Sequence, residues 1–267
     1  MWERAARVSS FSVMTELTVV SLNLHGGQRT RRISTPRLRQ HALRANASSN
    51  GAFDVSGVLR SLDADVLVLQ EVWWPDTGPD PIAAVAADRD ATVHTVTFGR
   101  GHADPWPHYL SMRPANGRLG IAVVSRLPAR FVANLSLGQV PTDPAPRRRA
   151  QHLALDVDGH DLDLVAVHLS SRLPYAPPMQ LRTLRRQLPP PERRTVLVGD
   201  FNLWGPAVTA MLPGWRRAVR GRTWPAHRPH SQIDHVLVRD DVEVVDAAVL
   251  DEVGSDHRPV RVTLRLP

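Results

Sequence analysis

The sequence predicts an α/β protein built on mixed β-sheets with helices outside. Three observations predict it. Short apolar runs of about 4–8 residues, rich in Val and Leu, recur along the chain, as buried strands do. Some runs are joined by tight turns, Asp158-Gly159 being a strong hairpin signal. Others are separated by helical stretches, so the connections are neither all hairpins nor all parallel crossovers.

Taken in order, LTVVSLNL (17–24) is the first run, continuous enough to be buried on both faces. A helical stretch at 53–62 leads into the second, DVLVLQEV (65–72), and another at 81–88 follows it. LGIAVVSR (119–126) is the third. HLALDV (152–157) and LDLVAVHL (162–169) flank Asp158-Gly159 and pair as a hairpin. A helix at 179–187 precedes TVLVGDF (195–201), and a short helix at 205–212 follows it. DHVLVR (234–239), VEVVDAAVL (242–250) and RPVRVTLRL (258–266) complete the strands. Residues 25–52, with six Arg, and residues 73–118, with Trp, Pro, Gly and His, lack periodicity and are predicted as long loops. No linker forces a split, so residues 17–267 are expected to form a single domain behind an N-terminal extension, 1–16. Met14 heads the smoother sequence, and residues 1–13 read as a misassigned start.

Composition narrows the chemistry. The chain has 267 residues and no Cys, and all 33 of its Lys+Arg positions are Arg. Disulfides, thiolate-bound zinc, iron–sulfur clusters and a Cys nucleophile are excluded. A Schiff-base Lys and a P-loop Lys are excluded as well. The net charge of +7 suits a phosphate-rich partner, although GC-rich codons would also enrich Arg over Lys. No apolar run approaches the roughly 20 residues of a membrane helix, so no stable membrane insertion is expected. The N-terminus has no apolar signal core, and a cytoplasmic location is the default expectation.

What remains for catalysis is His, Asp, Glu, Asn, Ser, Thr and Arg, and these recur at strand ends. Asn23 ends the first strand, Glu71 the second and His168 the fifth, while Asp200 and Asn202 end the sixth. Asp234 opens the next strand, and Asp256-His257 precede the last. A buried strand cannot run through an unpaired carboxylate, because desolvation costs several kcal/mol. These residues should therefore meet at a wet, polar edge of the sheets. The set suits metal-assisted phosphate-ester hydrolysis. Glu71 offers Mg²⁺ a hard oxygen, with the Asn23 amide oxygen beside it. Asp200 can take the proton of an attacking water, and Asn202 can orient that water or bind phosphate. His168 and His257 can donate to phosphate oxygens, and Asp234 can hold the His257 tautomer and keep it protonated.

The segments LNLHGG, LQEVW, GRLGIAVVSRLP, VAVHLSSR, VGDFNLWG, TWPAHRPHSQIDHVLV and GSDHRPV, in that order, resemble the endonuclease/exonuclease/phosphatase superfamily over residues 17–267. The resemblance implies a four-layered α/β sandwich, two mixed sheets packed face to face with helices outside. It implies metal ligation by Glu71 and Asn23, with Asp256 also touching a metal, Mg²⁺ or its substitute Mn²⁺. It implies that His168 contacts phosphate, that Asp200 and Asn202 position and activate the water, and that His257 pairs with Asp234. By the same likeness, Trp224 flanks substrate, and Tyr109 or His108 stands near the site. Two departures matter. Gln232 stands where such proteins usually carry Arg, and LQEVW lacks the Lys that follows the acidic residue in many apurinic endonucleases.

The expected activity is phosphodiester hydrolysis by in-line water attack, with nucleic acid as the first-choice substrate. The alternatives are a phosphatase or phosphodiesterase acting on a phospholipid or small phosphorylated metabolite, and a catalytically silent binding module of the same fold. The Arg147-Arg148-Arg149 run reads as a solvated hairpin flank rather than a backbone clamp. Trp73, Trp74, Trp106, Trp204 and Trp224 fall near the motifs and suit either base stacking or loop packing. His227, His230 and His235 lack the spacing of a zinc site. Ser255-Asp256-His257, being consecutive, cannot form a nucleophilic triad with one another.

Overall fold

The computed structural model describes residues 15–28, 53–103, 107–108, 114–140 and 147–266. Tyr109, Trp106 and most of the Arg-rich 25–52 segment lie outside them.

The strands are β1 (Thr15–Asn23), β2 (Val66–Pro75), β3 (Thr92–Ala103), β4 (Pro107–His108), β5 (Gly117–Ser125), β6 (Ala129–Ser136) and β7 (Arg149–Val157). They continue with β8 (His160–His168), β9 (Thr195–Asp200), β10 (Arg216–Arg217), β11 (Asp234–Val238), β12 (Glu243–Val249) and β13 (Val260–Leu266). The helices are α1 (Val55–Ser61), α2 (Ala83–Asp88), α3 (Ala176–Arg185) and α4 (Gly205–Met211). One sheet has seven strands in the order β12-β13-β1-β2-β5-β3-β4, and the other has six in the order β10-β11-β9-β8-β7-β6. Both are mixed: β1–β2 and β8–β9 pair in parallel, while the remaining pairs are antiparallel.

Side-chain alternation explains the layers. Leu17 and Val19 of β1 face the other sheet, whereas Val20 and Leu22 face α1 and α2. Val196 and Val198 of β9 face inward to the same central core, whereas Leu197 faces α3 and α4. A strand covered on both sides carries apolar residues on both faces, which is why its sequence reads as a near-continuous run and not as an alternation. Each such Val or Leu contributes about 1.5–3 kcal/mol relative to an exposed one. The result is the four-layered sandwich, helices–sheet–sheet–helices.

Four strands are absent from the sequence reading: β3, β6 and the two-residue β4 and β10. The 73–118 segment is not one long loop: β2 continues to Pro75, α2 follows, and β3 spans twelve residues. In β3 only Val96 and Phe98 reach the core, so Thr, His and Gly at its other positions hide the strand. β6 is an edge strand with most side chains outward, and it carries a bulge between Phe131 and Ala133. The expected helix at 179–187 begins earlier, at Ala176, with Pro in its first turn, where a missing N–H costs nothing. Among the described residues no helix is long and apolar enough to cross a membrane.

Candidate active site

Register and alternation bring the polar residues together. His168 of β8 pairs with Asp200 of β9, and Asp200 pairs with Asp234 of β11, so the three form one row across the sheet. Each continues the inward-facing series of its own strand: Ala166 and His168, Val198 and Asp200, Asp234 and Val236. Asn23 likewise continues the inward series of β1. The site is therefore where the core between the sheets ends and its lining turns polar. Gly199 makes the row possible, because a Cβ there would lie 2.0 Å from the Val167 carbonyl oxygen and its φ is +143°.

Asp200 is the centre. It is 1 % exposed, and Oδ1 accepts from the Asn202 backbone N–H at 2.8 Å. Oδ2 accepts from Asn23 Nδ2 at 3.0 Å and Asn202 Nδ2 at 3.2 Å. The same Oδ2 lies 3.8 Å from His168 Nε2 and 3.9 Å from His257 Nε2. Burial pushes the Asp200 carboxyl well above the usual carboxylate range; His257 opposes this, the Asp234 charge reinforces it, and the bonds from Asn202 and Asn23 moderate it. Asn202 adopts φ +46°, a left-handed conformation that Asn tolerates, and its amide also donates to the Leu169 carbonyl at 2.9 Å.

The two histidines differ in charge. His257 Nδ1–H donates to both Asp234 oxygens, at 3.0 and 2.9 Å. Burial opposes its protonation, but the Asp234 charge and hydrogen bond, with Asp200 and Asp256, raise it to about 10. His257 is thus an imidazolium throughout the neutral range. His168 is driven the other way, well below the usual histidine value, by burial and by the positive charges of Arg148 and His257.

Glu71 enters from the opposite sheet. The β2–β5 register shifts between Leu69 and Val72, and Glu71 takes φ +52° within that irregularity. Such a conformation costs about 1–3 kcal/mol for a non-glycine residue and is typically held by its surroundings at functional sites. Its Oε1 stands 3.5 Å from His168 Nε2. Asp256 is tied through Oδ2 to the Trp224 indole N–H at 3.2 Å. Among the described residues its buried Oδ1 has no hydrogen-bond partner; it lies 3.6 Å from His25 Nδ1 and 3.9 Å from His257 Nε2.

The structure therefore gathers Asn23, Glu71, His168, Asp200, Asn202, Asp234, Asp256 and His257, with Trp224 at the rim through Asp256. Trp224 packs edge-on against His230, their ring centroids 5.3 Å apart, so part of its ring serves the loop. Tyr109 lies outside the described residues. His235 is buried in the core, its Nε2 bonded to the Leu203 carbonyl, consistent with a structural residue. Gln232 does not leave its position without a cation, because its Oε1 accepts from Arg217 Nη1 at 3.0 Å.

Three residues play roles that escaped the sequence reading. Ser255 Oγ donates to the Asn23 carbonyl at 2.6 Å and pins the Asp256-His257 turn to β1. Thr223 Oγ1 accepts from the backbone N–H groups of Ile233 and Asp234, both at 3.3 Å, and sets the start of β11. Arg148 is buried, not solvated as expected of the Arg run, and its Nη1 lies 3.2 Å from His168 Nδ1. Arg147 and Arg149 on either side are exposed. Nothing in the triplet itself marks the middle Arg as different.

Asp200, Asp234 and His257 offer ligand atoms within 4.8 Å of one another and could hold a metal ion. Both Asp234 oxygens already bond His257, however, so the trio also reads as a hydrogen-bonded relay. Glu71 and the unpartnered Asp256 Oδ1 add hard oxygen donors of the kind Mg²⁺ takes. Residues 20–257 match the Endonuclease/Exonuclease/phosphatase family.

The chain belongs to that family.

It is a phosphoesterase-class hydrolase by that membership, and the family is metal-dependent. Its fold resembles an endonuclease/exonuclease/phosphatase from Beutenbergia cavernae DSM 12333, at TM-score 0.67 and 24 % identity, covering 94 % of this chain and 72 % of that one. It also resembles a humanized D. rerio TDP2, at TM-score 0.59 and 18 % identity, covering 93 % and 98 %. A mannosyl-6-phosphatase from Bacteroides thetaiotaomicron VPI-5482 superposes at TM-score 0.60 and 15 % identity, covering 93 % and 99 %. No curated protein matches the chain.

Proposed function

We propose that this endonuclease/exonuclease/phosphatase family member is a Mg²⁺-dependent phosphodiester hydrolase acting on nucleic acid. The observation that carries the reaction is the arrangement around Asp200 Oδ2: a buried carboxyl of raised proton affinity, with a neutral and a charged histidine nearby at 3.8 and 3.9 Å. A base whose proton affinity approaches that of the medium combines availability with driving force. Asp200 takes the proton of the attacking water, and Asn202 orients it. The His257 imidazolium, held by Asp234, donates from Nε2 to the phosphoryl oxygens as negative charge develops. Neutral His168 donates from the other side.

Glu71, with Asp256 and Asn23, would hold the Mg²⁺. The ion, when bound, would polarise a phosphoryl oxygen and neutralise developing charge. For the substrate, the net charge of +7 and the exposed Arg172, Arg222 and Arg228 on loops that continue from site residues favour a polyanion.

A second reading has its own support. Tyr175, Met179 and Trp204 are half-exposed or more, on segments that follow His168 and Asn202. Apolar side chains there favour an ester with an apolar moiety, such as a phospholipid. One of the similar structures, moreover, is a phosphatase by name. A panel of abasic, single-stranded and double-stranded DNA, RNA, sphingomyelin and inositol phosphates, each with Mg²⁺, separates the readings. Turnover confined to the lipid or monoester would displace nucleic acid as substrate.

A further inference from the structure

We propose that Arg148 is a positioning residue that fixes the proton of His168 on Nε2, so that this histidine presents an N–H to the phosphate. The inference deepens the proposed hydrolase reading, on which its catalytic part rests.

A guanidinium has five N–H donors, no lone pair to accept with, and does not deprotonate in proteins. Arg148 Nη1 approaches His168 Nδ1 at 3.2 Å in a buried setting. Nδ1 must therefore be the accepting nitrogen, and a neutral imidazole then carries its hydrogen on Nε2. Nε2 is the nitrogen that points to Glu71 Oε1, at 3.5 Å, and to Asp200 Oδ2, at 3.8 Å. The opposite tautomer would set N–H against N–H at Arg148 and turn a lone pair toward an anionic site.

Its own position is fixed. The guanidinium lies over the Phe98 ring, 5.4 Å from the centroid, and Phe98 in turn packs against His168 at 6.0 Å. The Arg148 carbonyl accepts from the Leu137 N–H at 3.1 Å, just before β7 begins. Other side chains around the His168 ring that bear charge are Glu71, Asp200 and His257. Glu71 and Asp200 both approach Nε2, whereas Arg148 approaches Nδ1, so Arg148 is the group that selects the tautomer there.

The test reads the proton directly. Ring ¹⁵N spectra of the whole protein at neutral pH, with the His168 signals assigned by their loss in His168→Gln, distinguish an Nδ1–H from an Nε2–H imidazole and need no substrate. The expected result is an unprotonated Nδ1 in the wild type and a redistributed proton in Arg148→Met. With Mg²⁺ and bis(4-nitrophenyl) phosphate as probe, Arg148→Met should lose about 10- to 100-fold in kcat with KM within about threefold. Arg148→Lys, which keeps a cationic donor, should recover the Nε2–H form and part of the rate. A proton on Nδ1 in the wild type overturns the proposal, even if Arg148→Met does not fold. So does an Arg148→Met protein whose tautomer and kcat match the wild type. Absence of turnover in the wild type would count against the hydrolase reading while leaving the tautomer result to stand.

Discussion

Asn23, at the end of β1 in one sheet, donates its amide to Asp200 Oδ2 at the end of β9 in the other, across 3.0 Å. The bond closes the gap between the two sheets where their shared apolar core gives out. It also lowers the proton affinity of Asp200, opposing the effect of burial.

Removing that donor should raise the Asp200 pKa further. Asn23→Ala is expected to shift the acid limb of the kcat–pH profile upward and to lower kcat by about 10-fold near neutrality. The profile is measured by initial rates on a phosphodiester across the acid-to-neutral range. An unmoved acid limb would disconnect Asn23 from the proposed base, Asp200.

Asp234 holds His257 as an imidazolium, raised to about 10 against the cost of burial. Activity that depends on this charge should persist at neutral pH and fail as pH rises through about 10. Asp234→Asn withdraws the charge that supports it, so the alkaline limb should move toward neutrality. The sign for stability follows. The pair's contribution is fully present below the ordinary histidine value of 6.5 and is lost as pH rises through about 10. Urea midpoints of wild type and Asp234→Asn at neutral pH and near pH 10, an extreme on the order of the raised value, should converge.

Away from the site, Asp163 is a buried carboxylate that accepts from His152 at 2.9 Å and from Arg193. Burial acts to raise its pKa, but the His152 and Arg193 hydrogen bonds and charges bring it down to about 2. Its contribution is present above the ordinary value of 3.8 and is lost as pH falls through about 2. Asp163→Ala is expected to cost about 2–3 kcal/mol at neutral pH by stranding its partners, with kcat unchanged. A chemical denaturation curve at neutral pH reads the loss, and a difference below about 0.5 kcal/mol would reduce the triad to a surface feature.

Glu71→Gln keeps the shape but removes the charge of the proposed metal ligand. Isothermal titration with Mg²⁺ should show affinity weakened by about 10- to 100-fold, and activity at saturating Mg²⁺ should recover only in part. Unchanged Mg²⁺ affinity would place the ion on Asp256 or elsewhere.

Much of the architecture was legible because strands covered on both faces cannot hide. LTVVSLNL and TVLVGDF carry apolar residues on both faces, and the polar residue that ends each run marks the edge where water returns. That logic placed Asn23, His168, Asp200 and Asp234 in one region before any contact was known. It failed for β3 and β6, whose outward positions carry Thr, His, Arg and Asn and whose inward ones are few. It failed for Arg148 because burial of one Arg within Arg147-Arg148-Arg149 is decided by Phe98 and His168, which lie far away in sequence. Glu71 was legible as a polar residue at the end of a buried run, but its left-handed backbone was not, since that depends on the register shift against β5.

Asp200 is proposed above as the base of a metal-dependent phosphodiester hydrolysis. Single-turnover cleavage of a labelled DNA duplex by wild type and Asp200→Asn, each with Mg²⁺ and with EDTA, tests it most directly. The expected result is cleavage by the wild type with Mg²⁺, none with EDTA, and a loss of about 10²- to 10⁴-fold in Asp200→Asn that folds normally. Cleavage by Asp200→Asn at a rate close to the wild type, or undiminished cleavage in EDTA, would contradict it.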